Sequence, residues 1–278
     1  MKVNEYHQER DSERPTVSVL LTVFNGQRFV EDAIDSILEQ TFEDFEFLVI
    51  DDGSTDETPS ILDGYDDPRM RVIRQANAGR GPALNRGLRE VDGEYVAIID
   101  DDDIARRTRL ERQLEYFSTH PDTALVGTYY ERRWPDSERP TELIRSPTSH
   151  ERLLKTLPKR NPFSHSTVMY RRGAALDVGG YDGAKHSCID YSLWLRLATN
   201  GYQFGMIDDF LAVQRKHNTR SFAFDPLDRV RHRITAAQIR FVAARQLDVP
   251  IRSYTYPAMI LASGLVPGRI KSALNKRV

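Results

Sequence analysis

Three short apolar runs, each ending at a turn, set the architecture of this chain. Val17–Val23 (VSVLLTV), Phe45–Ile50 (FEFLVI) and Tyr95–Ile99 (YVAII) lack the strict apolar–polar alternation of a half-exposed strand. Such runs mark strands covered on both faces. After the first, Phe24-Asn25-Gly26 turns the chain, and Val30, Ala33, Ile34, Ile37 and Leu38 fall on one helical face. The pattern then predicts a helix over Glu57–Tyr65, a strand over Met70–Arg74 and a helix over Pro82–Val91. This β-α-β-α-β-α-β order implies a parallel sheet with right-handed crossovers. The fold class expected is α/β, with a Rossmann-like half in the first hundred residues.

Two of these strands end in carboxylates. Ile99 runs straight into Asp100-Asp101-Asp102-Asp103, with no Lys or Arg between them. Packed like charges repel, so a fold tolerates them cheaply only where solvent or a cation screens them. Ligands in an open α/β sheet bind at the carboxyl edge of the strands. The run therefore reads either as a solvated acidic loop or as a site for a hard divalent cation, Mg²⁺ or Mn²⁺, that holds a phosphate-bearing ligand. Phe45–Ile50 likewise ends in Asp51-Asp52-Gly53-Ser54-Thr55-Asp56. Ser54 or Thr55 is expected to cap the next helix, and Asp56 and Glu57 suit its positive N-terminus. Capping does not account for two Asp at a strand end, and the two acidic edges are read as one site.

Several function classes lose their basis. There is no G-x-G-x-x-G after the first strand and no G-x-x-x-x-G-K-[ST] anywhere, which argues against hydride transfer and P-loop phosphoryl transfer. With 39 Lys and Arg against 41 Asp and Glu, the formal net charge of −2 carries no nucleic-acid footprint. Cys188 is the single cysteine, so no intrachain disulfide forms and a reducing, cytoplasmic setting fits. The polar, charged MKVNEYHQERDSER lacks the apolar stretch of a signal peptide and is expected to be a mobile tail over residues 1–14. No apolar run reaches the ~20 residues that span a bilayer.

The second half is more mixed. A helix is expected from Arg109 to Phe117, a strand over Thr123–Thr128 and a long loop over Glu131–Pro147. A strand over Ser166–Tyr170, a helix over Ile189–Thr199 stopped by Gly201, and short strands at Phe204–Ile207 and Leu211–Gln214 follow. Gly79-Arg80-Gly81 opens the third helix, either as a plain turn or as backbone N–H groups presented to a phosphate. Beyond Asp225-Pro226, Val230, Ile234, Ala237 and Phe241 form an amphipathic stripe. The apolar Pro257–Gly268 is followed by Arg269, Lys271, Lys276 and Arg277, read either as a packed helix or as a peripheral contact with anionic lipid.

In order and spacing the chain resembles the family 2 glycosyltransferases of the GT-A fold from about residue 15 to 217. The resemblance rests on Val17-Ser18-Val19 with Phe24-Asn25, on Asp51–Asp56, and on Asn77-x-Gly79 with Ala83-x-Asn85-x-Gly87. Gly93-Glu94-Tyr95, Asp100–Asp103 and Ile189-Asp190-Tyr191-x-Leu193-Trp194-x-Arg196 complete it. It implies a GT-A domain over 15–224, with a nucleotide-sugar half (15–104) and an acceptor half (105–224), and a helical extension over 225–278. It also implies inverting, metal-dependent transfer from a nucleoside-diphosphate sugar, UDP-sugars first, to a hydroxyl of a glycan, lipid-linked or small acceptor. Thr22, Phe24, Asn25, Asp52 and Arg80 would surround the nucleotide, with Asp52 accepting from a base N–H. Asp101 would lie near the ribose or sugar. Asp102, with Asp100 and His217, would bind the cation, and Asp190 would be the catalytic base. His165 and Trp194 would line the acceptor side.

Relatives more often carry Tyr at position 24 and Glu at 189. Phe24 keeps the stacking face without the hydroxyl, and Ile189 removes a carboxylate from the acceptor pocket. The residues alone leave other readings open: Asp190 as an N-cap or first-turn acid, His217 as a solvated loop histidine, His165 as a structural hydrogen-bonder, Trp194 as core. A nucleotidyltransferase is the rival enzyme, but it predicts a Gly-rich, Lys-bearing loop after the first strand, which Phe24-Asn25-Gly26-Gln27-Arg28 does not supply. A non-catalytic nucleotide-sugar-binding module is the third reading.

Overall fold

The computed structural model describes residues 14–185, 187–217 and 226–247. The tail through residue 13 and the apolar segment at 257–268 lie outside them. Strand β1 (Val17–Val23) pairs in parallel with β2 (Phe45–Asp51) on one side and with β4 (Tyr95–Asp100) on the other, and β3 (Met70–Arg74) pairs in parallel with β2. The register sets Thr22 opposite both Ile50 and Asp100, so the acidic strand ends stand at one edge. The expected parallel half is present.

The second half of the chain extends the same sheet. β8 (Met169–Arg171) runs antiparallel to both β4 and β6 (Thr123–Arg133), and β6 is parallel to β9 (Gln203–Arg215). Two reversals restore direction, so β6 and β9 end at the same edge as β1, β2 and β4. The nine-stranded sheet has the order β3-β2-β1-β4-β8-β6-β9-β5, where β5 is Ile104–Ala105, and β7 (Glu142–Ile144) pairs with β6.

Alternation along the strands sends side chains to two faces. Leu20, Leu48, Ile50 and Ile98 form one core with α3 (Arg80–Glu90) and α7 (Ile189–Thr199). Val19, Leu21, Val49 and Ile99 form the other with α1 (Val30–Leu38) and α4 (Arg109–Thr119). The shorter helices are α2 (Thr58–Asp63), α5 (His150–Thr156) and α6 (Arg172–Asp177); α8 (Pro226–Gln246) packs Ile239 and Ala243 into the first core. No helix among the described residues is long and apolar enough to cross a membrane.

Four local expectations are corrected. The loop expected over 131–147 is partly the end of β6 and the returning β7. The two strands expected near 204 and 211 are one long β9, carried past its polar Asp208-Asp209 by pairing with β6. Ser166–Tyr170 begins as a 3-10 turn, His165–Thr167, before β8. Neither Ser54 nor Thr55 caps α2: its N-cap is Glu57, and Ser54 instead turns its hydroxyl to the backbone N–H of Asn25 at 3.0 Å.

Candidate active site at the carboxyl edge of the sheet

The two acidic turns have different jobs. Asp52 is almost buried, and its carboxylate accepts from Gln75 Nε2 (2.6 Å), Ala78 N (2.9 Å) and Gly79 N (2.8 Å). It thus ties the start of α3 to the end of β2. Asp51 accepts from Ser54 N at 2.9 Å. Gly53 sits at φ 79°, where a Cβ would stand 2.8 Å from Asn77 N, so the two turns interlock only through glycine. Asn25, itself at φ 56°, accepts from Thr55 N at 2.8 Å and holds the turn after β1. Phe24 is 46% exposed, with its ring free to meet a flat partner.

The run Asp100–Asp103 divides further. Asp100, Asp102 and Asp103 each present an oxygen within 4.8 Å of the others. Asp103 is fully buried, accepts from Ser166 Oγ at 2.5 Å and Arg215 N at 2.9 Å, and so anchors the end of β9. Asp102 accepts from His217 Nε2 at 2.9 Å. The ring of His217 lies 4.7 Å from that of Phe29, while Arg215 stacks on the same phenyl and donates to the Asp102 carbonyl at 2.5 Å. Asp101 packs against Gly26, where a Cβ would come within 2.5 Å of its Oδ2. Burial, followed by the charges of Asp102 and Asp100, pushes its carboxyl up to about 7. The set of carboxylate and imidazole donors fits a hard divalent cation.

Arg80 faces this cluster from the first turn of α3. It forms an ion pair with Asp100 and donates to His165 Nδ1 at 2.7 Å. Against the cost of desolvation, the charges of Asp100, Asp190, Asp101 and Asp102, in that order, raise its pKa. His165 Nδ1 also lies 3.3 Å from Asp100 Oδ1, and its Nε2 faces Tyr181 Oη at 2.9 Å, which meets Tyr170 Oη at 3.1 Å. His165 is buried and in contact with Arg80.

Asp190 lies in the first turn of α7, half-buried, and accepts from Asn161 Nδ2 at 2.8 Å. Cys188, at φ 55°, is the N-cap, so Asp190 is a first-turn acid and not the cap. The bond from Asn161 is made to Oδ2, and a carboxylate so held can receive a proton. Trp194 is fully buried, with ring centroids of Phe163, His165 and Tyr170 at 6.3, 6.3 and 5.9 Å. It packs in the core beside His165. No local pattern marks the structural work of Asp103, Ser166, Arg215 and Tyr181, because their partners come from distant segments.

Comparison with known proteins agrees with this geometry. The model of the family described as Glycosyl transferase family 2 matches residues 18–179. The UDP-Gal:alpha-D-GlcNAc-diphosphoundecaprenol beta-1,3-galactosyltransferase of Escherichia coli is 30% identical over 72% of this chain and 74% of its own. TarS residues 1–349 of S. aureus, solved with UDP-GlcNAc, superposes with a TM-score of 0.67 at 21% identity, covering 90% of this chain and 71% of that one. The mannosyltransferase PcManGT of Pyrobaculum calidifontis, solved with GDP-Man and Mn²⁺, gives 0.62 at 18% identity over 99% and 86%. A curled α/β sheet with acidic strand ends, and a family match over more than half of its length, make this chain a member of glycosyl transferase family 2.

Proposed function

We propose that this enzyme is an inverting, metal-dependent glycosyltransferase that moves a sugar from a nucleoside-diphosphate donor, a UDP-sugar first, to a hydroxyl acceptor in glycan or polysaccharide synthesis. The observation that carries the reading is the grouping of Asp100, Asp102 and Asp103 at the edge where Arg80 feels both that cluster and Asp190. The UDP-Gal-dependent galactosyltransferase and the TarS complex with UDP-GlcNAc support a UDP donor, and the Mn²⁺ of the PcManGT complex supports a divalent ion.

Asp102 and His217, joined by Asp100, would hold the cation, which when bound neutralises charge on the departing diphosphate. Phe24, Thr22 and Asn25 frame the nucleotide, with Asp52 shaping that wall through the 75–79 turn. The carboxylate of Asp190 takes the proton of the acceptor hydroxyl as its oxygen bonds to the anomeric carbon. The bond from that carbon to the diphosphate oxygen breaks, and the electron pair leaves with the diphosphate. A single displacement of this kind inverts the anomeric centre. Arg80 adds a fixed positive charge beside the leaving group.

In this reading residues 15–224 are the catalytic domain and 225–278 an extension. The apolar Pro257–Gly268 and the basic Arg269, Lys271, Lys276 and Arg277 after it support contact between that extension and an anionic membrane. The test is donor hydrolysis across a nucleotide-sugar panel with Mn²⁺, Mg²⁺ or EDTA. Turnover of one class, abolished by EDTA, is expected; full turnover in EDTA sinks the metal role, and no turnover of any donor sinks the reading.

A further inference from the structure

The hairpin between β6 and β7 walls a cavity that no step above uses. Its volume is about 290 Å³, and Arg133, Trp134, Arg139 and Thr141 line it from the hairpin, with Val213 and Arg215 from the end of β9. No carboxylate is among its lining residues. Arginine outnumbers every other residue type in this lining, which makes a local positive field.

The three arginines are held differently. Arg133 pairs with Glu131 at 2.5 Å, but Glu131 also pairs with Arg106, so one carboxylate is shared by two cations. Arg215 is fixed by Asp32 and by the Asp102 carbonyl. The Arg139 guanidinium lies 5.6 Å over the Trp134 ring, and no ion pair joins it to a carboxylate among the described residues. A guanidinium fork beside an indole face suits a phosphate or carboxylate carried on a sugar, the fork taking the anion and the ring the apolar face. The volume stands at the low end of ligand pockets, roughly 300–1,000 Å³, so it accommodates one substituent and not a whole oligosaccharide.

Position decides which substrate this is. β6 and β9 end here, on the edge that also carries Asp100, and Arg215 donates its backbone N–H to Asp103 at 2.9 Å. The cavity and the acidic cluster therefore share Arg215 as a wall. A cation at Asp102 would answer the donor's diphosphate, which leaves a second anion site to the other substrate. Resting on the glycosyl-transfer reading, we infer that this cavity binds an anionic group, phosphate or carboxylate, of the acceptor.

Trp134 and Trp194 are the two tryptophans, and Trp194 is fully buried, so Trp134 emission reports occupancy. The full-length protein is titrated in EDTA, using inorganic pyrophosphate and D-glucuronate as separate probes. A saturable change with at least one probe is expected, absent in Trp134→Phe and about 10- to 100-fold weaker in Arg139→Gln, the scale of a charge-assisted hydrogen bond. Response to pyrophosphate alone assigns a phosphorylated acceptor, and response to glucuronate alone an acidic sugar. No saturable change, or one that Arg139→Gln leaves intact, overturns the site. Calorimetry with UDP and Mn²⁺ on the same protein separates the two readings: failure there removes the donor assignment, whereas normal UDP binding without an anion response removes only the cavity.

Discussion

Arg80 and Asp100 form an ion pair across the mouth of the acidic cluster, joining the first turn of α3 to the end of β4. Asp100 therefore enters the site already neutralised by a tethered cation. A divalent ion has to share that carboxylate with Arg80.

Arg80→Gln is expected to bind Mn²⁺ alone more tightly, because it removes a competing positive charge. The same variant should bind nucleoside diphosphate more weakly. Calorimetric titration of Mn²⁺ and then of UDP checks both signs. Weaker Mn²⁺ binding would show that Arg80 organises the ligands and does not compete with the ion.

Asp102→Asn is expected to lose Mn²⁺ binding and turnover while folding normally. It removes like-charge repulsion among Asp100, Asp102 and Asp103, so thermal stability without metal should hold or rise. A fall in melting temperature together with lost binding would mean that Asp102 serves the fold through His217.

Asp190→Asn keeps the side-chain shape but cannot accept the acceptor's proton. Turnover should fall on the order of 10²–10⁴-fold. Donor affinity should change little. Near-normal turnover would remove Asp190 from the chemistry.

Arg109 is fully buried and donates to the carbonyls of Ile98 (2.8 Å) and Val168 (2.9 Å), tying β4 to the turn that carries His165. Burial pulls its pKa down to about 10 even with Asp103 and Asp100 opposing. Arg109→Ala should cost roughly 2–5 kcal/mol by leaving a cavity and breaking these bonds. Denaturant unfolding measures it, and a loss under about 1 kcal/mol would contradict the role.

Burial, and then the charge of Asp190, pushes the Cys188 thiol up to about 11. A raised pKa depletes the thiolate, which is the reactive form. At pH 8 native Cys188 should react with iodoacetamide about 100-fold more slowly than an ordinary thiol, and the rate should recover on unfolding. Equal native and unfolded rates would refute the shift.

The amino-acid sequence by itself determined the parallel half and its acidic edge. Strand and helix periods are local patterns, and carboxylates that directly follow Ile50 and Ile99 must emerge where those strands end. The place of Asp190 near the start of a helix was legible for the same reason. Only the tertiary structure decided what each acid does. Asp103 and Asp102 are neighbours in the chain, yet one anchors Arg215 and Ser166 inside the protein while the other meets His217, because their partners lie at the end of β9, just past it and on the turn before β8. Asp52 became a clamp on the 75–79 turn, and Trp194 a core residue, through contacts that no local pattern encodes. The cavity at Arg139 and Trp134 likewise exists only because β6 pairs in parallel with β9, and that pairing joins segments whose sequence separation carries no periodic signal.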